Sequence, residues 1–153
     1  MNKNSILKAQ KLWGDSLLEI GKAFQEKKDF KAIAQKKILH LYNFENDDVL
    51  FKPTLVQKIQ FRPSIEGAVS YFVAHDKNFP EDIGFALQGW KAVRFENKHI
   101  CFEGDLAFAM GNYFFTKQSG EIIKVEYTFG YKLDSTGEIK IFLHHSSLPF
   151  KGQ

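Results

Sequence analysis

Two histidines and two serines stand side by side in the last apolar run of the chain, IKIFLHHSSLPF (residues 139–150), although histidine is scarce, five in 153 residues. An imidazole on a sheltered surface can bind a ligand or move a proton, because its pKa of about 6.5 lies near neutrality. Successive side chains of an extended segment point to opposite faces, so His144 and His145 cannot grip one ion together. One of them faces inward and the other outward, and the spacing serves either assignment. The plainer reading makes the inward imidazole a hydrogen-bonded plug at a sheet end. Ser146 and Ser147 lack the G-x-S-x-G elbow of an activated nucleophile, which leaves satisfying nearby backbone groups as their role.

Glu126 is the carboxylate that stands out. It lies in the apolar run IIKVEYTFGYKL (122–133), on the face of Lys124 and Thr128. In apolar surroundings its pKa would rise and it could act as a base; the alternative is a cross-strand ion pair with a lysine such as Lys140. Arg62, just before Pro63, could hold an anion at a cavity mouth, or pair with the acids of PED (80–82). Asn112 interrupts an aromatic run, and a buried amide needs partners that a ligand or water can supply. Trp90 and Tyr113 are pocket-lining candidates as well as core candidates. His40 and His75 end or follow helical segments, His99 falls in a hairpin, and no spacing among them suggests a metal site.

These residues need elements to position them. Ile6, Ala9, Trp13, Leu17, Ile20 and Phe24 recur at steps of three or four, which predicts one face of a long helix capped by Asn4 or Ser5. Gly14 and Gly21, one heptad apart, predict close packing beside that face. Asp29 caps a second helix over Phe30, Ile33, Ala34, Ile38 and Leu41, and Ser64 a third over Ile65, Ala68, Val69 and Phe72. VLFKPT (49–54) reads as a brief strand stopped by Pro53. Beyond residue 86 come β-branched and aromatic runs, separated by turn residues at Asn97, Gly104-Asp105, Ser119-Gly120 and 134–137. Such short links predict antiparallel hairpins, hence an α+β fold with about three helices on one sheet face. In residues 106–115 both alternating sets are apolar, so the second sheet face needs a cover too, and a second copy of the chain is the simplest one.

Composition narrows the rest. Twelve Lys/Arg against seven Asp/Glu in residues 1–62 give a basic excess interspersed with acids, the look of a solvated helix face and not of a nucleic-acid footprint. A single Cys101 precludes an intrachain disulfide and disfavours a cysteine-based zinc site. No apolar run reaches membrane-spanning length and the N-terminus lacks a signal-peptide core, so the expectation is a single cytoplasmic domain over 1–153 that needs no cofactor.

The pieces LFKPT, GAVSYF, AMGNYFF and YTFGYKLDSTGEIKIFLHHSSLP follow one another in an order that resembles the nuclear transport factor 2-like superfamily. SnoaL-type polyketide cyclases and the association domain of calmodulin-dependent kinase II belong to it. The resemblance covers nearly the whole chain. It implies a cone in which helices close over a strongly curved antiparallel sheet, with an internal pocket inside and a homodimer formed through the outer sheet face. It leaves three functions open. One is binding of a small apolar or carboxylate-bearing molecule in an aromatic-lined cavity, through Arg62, Trp90, Asn112, Tyr113, Glu126, His144, His145 and Ser146. Another is a cofactor-free isomerase, cyclase or dehydratase using Glu126 or His144. The last is an oligomerisation module.

Overall fold

A computed structural model describes residues 1–152. Helix α1 (Lys3–Gln25) starts two residues before the expected cap. Asn2 Oδ1 accepts from the Ser5 backbone N–H while Ser5 Oγ accepts from that of Asn2, each at 2.9 Å, so Ser5 closes a reciprocal capping box from inside the first turn. Ile6, Trp13, Leu17 and Ile20 are buried as their spacing requires. Both glycines lie where backbone comes close: a Cβ on Gly21 would sit 2.7 Å from the Ala86 carbonyl oxygen, and one on Gly14 3.2 Å from Val93 Cβ. Helix α2 (Phe30–Leu41) is capped by Asp29 and α3 (Ile65–Val73) by Ser64.

Strands β1 (Leu50–Lys52), β2 (Trp90–Glu103), β3 (Leu106–Lys117), β4 (Ile122–Leu133) and β5 (Ile139–Ser147) form one sheet in the order β1-β5-β4-β3-β2. Consecutive strands from β2 to β5 pair antiparallel, as the short turns predict. The sheet is nevertheless mixed, because β1 runs parallel to β5, with Phe51 opposite His144 and Lys52 opposite His145. The long stretch from residue 53 to 138 separates the two strands, which is the kind of crossover that parallel pairing needs.

Strand β2 differs from the expected pair of short strands. Asn97 is no turn and His99 no hairpin residue: the ladder continues through them with a bulge between Asn97 and His99. Opposite the bulge stands Gly111, where a Cβ would collide with the Glu96 carbonyl.

The inner sheet face carries Tyr113 and Phe115 of β3, Val125, Tyr127, Phe129 and Tyr131 of β4, and His144 and Ser146 of β5, all buried. Trp13 of α1 is the hub above them, with ring centroids of Phe95, Tyr113, Phe129 and His144 within 5.7–5.9 Å. Such contacts contribute roughly 0.5–1.5 kcal/mol each beyond the area they bury. The outer face is mixed, with Lys124, Glu126 and His145 beside the 58% exposed Met110. No helix among the described residues is long and apolar enough to cross a membrane.

Candidate functional site

Strand alternation, once its register is known, decides between the adjacent histidines. His144 faces inward and is 2% exposed, while His145 faces out beside Lys52. The His144 ring lies between Phe51, stacked at 4.9 Å, and Phe129, edge-on at 4.1 Å. Its two nitrogens are both engaged. Nδ1 meets Tyr42 Oη at 2.8 Å, and Nε2 meets Ser146 Oγ at 2.8 Å and Tyr113 Oη at 3.3 Å. Tyr113 Oη and Ser146 Oγ also bond to each other, and Trp13 Nε1 donates to Tyr42 Oη at 2.9 Å. Ser146 therefore serves this cluster with its side chain and not the backbone, in contrast to the expectation for the two serines.

The cluster continues toward the chain after β1. Tyr71 Oη accepts from the Leu55 backbone N–H at 3.4 Å. The loop that carries Leu55 is anchored by Glu81, whose carboxylate accepts the backbone N–H groups of Gln57 (2.8 Å), Lys58 (3.0 Å) and Ile59 (2.7 Å). These bonds, that of Ile59 foremost, pull the Glu81 pKa down to about 2.

Every titratable group of the cluster is held neutral. Burial pushes the hydroxyl pKa values of Tyr42, Tyr71 and Tyr113 upward, against the opposing pull of their hydrogen bonds. Burial, with a smaller contribution from His145, holds the His144 imidazole well below its ordinary range. The site thus offers O–H and N–H groups without net charge. A gap of about 10 Å³, roughly one water, lies between α1 and α2 against Trp13, Ser16, Tyr42 and Phe72.

Several expected site residues lie elsewhere. Asn112, Glu126 and His145 share a groove of about 380 Å³ on the outer face with Lys98, Thr128 and Ser147, a sheet thickness away from His144. Asn112 is half-buried there and not enclosed. Glu126 is exposed and accepts from Ser147 Oγ at 3.1 Å. It does not pair with Lys140, which sits opposite Lys132 and reaches Glu138 at 3.2 Å. Arg62 binds no open cavity mouth: its guanidinium makes two 2.8 Å bonds to Asp82, both side chains fully buried. Breaking such a pair costs about 3–5 kcal/mol, which makes it a structural tie. Trp90 packs on Phe85 and Phe115 and donates to the Phe85 carbonyl, as core.

Of the expected residues, Tyr113, His144 and Ser146 come together. Trp13 and Tyr42 join them without having been singled out as site residues. Their sequence signal is a polar tip on an otherwise apolar position, and it becomes legible only across separations such as the 102 residues between Tyr42 and His144. Among the described residues no group of three or more His, Cys, Asp or Glu is gathered as a metal ligand set.

A family model described as metal-independent carbonic anhydrase matches residues 4–148. A metal-independent carbonic anhydrase of Nostoc sp. (strain PCC 7120 / SAG 25.82 / UTEX 2576) is 40% identical over 154 residues, 99% of this chain and 75% of the relative. The crystal structure of a cyanobacterial iota-carbonic anhydrase complexed with bicarbonate superposes with a TM-score of 0.96 at 39% identity, over 99% of this chain and 94% of that one. A protein of Xanthomonas campestris assigned as a calcium/calmodulin-dependent kinase II association domain gives a TM-score of 0.62 at 20% identity, over 99% and 91%, a likeness of fold alone.

Proposed function

The chain belongs to the metal-independent carbonic anhydrase family, and we propose that it interconverts carbon dioxide and bicarbonate at the His144 cluster. The reaction is CO2 + H2O giving HCO3⁻ and a proton. As the water oxygen adds to carbon, negative charge develops on the carbon dioxide oxygens. Fixed donors aimed at such an oxygen stabilise the transition state without reorganising, and one donor of this kind typically contributes 10²–10³ in rate. The bonded pair Ser146 and Tyr113 supplies a hydroxyl for that task, with His144 and Tyr42 holding Ser146 in place. Neutrality favours turnover as well. A cationic cluster would bind the bicarbonate product strongly, whereas uncharged donors favour the charge only while it is forming.

The observation that carries this reading is the convergence of three hydroxyl groups and one neutral imidazole within an aromatic shell. The exposed position of Glu126 leaves the isomerase alternative without its carboxylate. Stopped-flow hydration of carbon dioxide by chelator-treated, metal-free protein is the test. Catalysis above the buffer rate is expected. A rate equal to buffer for folded protein, or activity that returns only with added zinc, would refute the proposal.

The outer face supports a homodimer as a second element of this reading. Met110 is 58% exposed in its middle, flanked by the partly buried rings of Phe108, Phe114 and Phe142. Sedimentation at micromolar concentration should give twice the chain mass, and Met110→Glu should return it to monomer; a wild-type monomer would remove this element.

A further inference from the structure

One member of the buried hydrogen-bond chain has no choice of direction. Trp13 Nε1 bears a hydrogen and has no lone pair to offer, so it is the donor to Tyr42 Oη. The other polar contact of Tyr42 is His144 Nδ1, and the phenol is buried against the rings of Phe44 and Phe51. An oxygen that already accepts from Trp13 still has its own proton to place. Leaving it unpaired among aromatic rings would forfeit its desolvation with no return. Donation to Nδ1 avoids that loss, and Nδ1 must then be the unprotonated nitrogen.

We propose that Trp13 is a positioning residue that sets the tautomer of His144 and thereby the direction in which the whole site presents its protons. The order is Trp13 to Tyr42, Tyr42 to Nδ1, and Nε2–H to Ser146. Between Ser146 and Tyr113 either hydroxyl can donate, and the one that accepts keeps its own proton to present to a ligand oxygen. His144 in this state cannot take a proton from Ser146, because Nε2 already carries one. The site is then a donor for a developing oxyanion, and the proton of the attacking water passes to a second water, giving bicarbonate and hydronium. The opposite direction would make Tyr42 accept twice and make His144 the base that draws a proton through Ser146. The consequence for catalysis rests on the carbon dioxide reading above; the tautomer does not.

The two are separated by nitrogen NMR of protein labelled in histidine, with His144 assigned by its loss in His144→Gln. In the wild type near neutral pH a proton on Nε2 and none on Nδ1 is expected; a proton on Nδ1 overturns the proposal, whether or not the protein hydrates carbon dioxide. Trp13→Phe keeps a ring in place and removes the directing N–H. It should give a mixture of tautomers and lower kcat about tenfold with KM within about twofold, since the lost order matters where charge forms. Tyr42→Phe cuts the same link one step later and should give the same mixture, which decides the matter should Trp13→Phe fail to fold. A tautomer unmoved in whichever of these variants folds would place the control at Ser146 and overturn the role of Trp13.

Discussion

His144 and His145 are adjacent in sequence and separated by the thickness of a sheet. His144 is enclosed by Trp13, Tyr42, Phe51 and Phe129, with Nδ1 bonded to Tyr42 from a distant segment and Nε2 to Ser146 two residues along the strand. His145 opens on a groove of exposed polar groups that includes Lys98, Glu126 and Ser147. The same contrast holds along β4, where Tyr127, Phe129 and Tyr131 are buried while Glu126 and Lys124 meet solvent. What differs is the reference state for a proton or a hydrogen bond. Around His144 fixed partners have replaced water, so each loss there leaves an unpaired group. On the outer face water takes over whatever a side chain gives up.

The sharpest way to break this contrast is to truncate neighbours on opposite faces. Phe129→Ala should destabilise the protein by about 3–5 kcal/mol in urea unfolding, because it opens a void beneath His144. Thr128→Ala, one residue away and half-buried on the outer side, should stay within about 0.5 kcal/mol. Equal losses at the two positions would mean that the outer face is as closely packed as the inner.

Serine gives the catalytic counterpart. Ser146→Ala should lower carbon dioxide hydration about a hundredfold, roughly 3 kcal/mol, whereas Ser147→Ala should change it less than about twofold. Comparable effects from both serines would contradict the inner-face assignment.

Acid should act on the two imidazoles unequally. The native state holds His144 neutral below the ordinary histidine pKa, so beneath pH about 6.5 the unfolded chain takes up a proton that the native one refuses. Stability contributed by this group is complete above that pH and falls with acidification, by up to about 1.4 kcal/mol per pH unit. His145, only partly buried and lowered by desolvation and then by Lys52, adds a weaker slope of the same sign. Unfolding curves of His144→Gln should be flatter between pH about 6.5 and 5 than those of His145→Gln; the reverse order would overturn the assignment. The smallest effect is expected of Glu126→Gln, within about twofold in activity and about 0.5 kcal/mol in stability, and an inactive variant would restore the outer groove as a site.

Periodicity made much of this visible from the residues. The three helices, two of their caps, the hairpin order and the inward set of β4 all follow from apolar spacing and turn chemistry, because those are local physics. The resemblance of the closing strand to nuclear transport factor 2-like proteins adds the cone. What stayed hidden depends on contacts between distant segments. The parallel docking of β1 brings Phe51 against His144 from across the chain. Tyr42, which ends α2 as its C-cap, looks like any helix-terminal aromatic until its hydroxyl is seen against Nδ1. Arg62 and Glu126 drew attention for their charge, yet a charge is equally at home in a buried tie or in water, and sequence does not separate those fates.

The irregularity between Asn97 and His99 reaches further than its size. Ahead of it Phe95 and Asn97 point inward, and Asn97 exchanges amide bonds of 2.8 and 2.7 Å with Gln10 and accepts from Tyr127 Oη. Past it the parity changes, and Ile100 packs on the core while His99 is exposed. Forcing Lys98 into a regular ladder would turn the distal half of the strand inside out, whereas deleting it would close the bulge and leave His99 opposite Met110 and Ile100 opposite Ala109, each on its present face. A relative shortened by that one residue would keep the same division between oil and water along the strand.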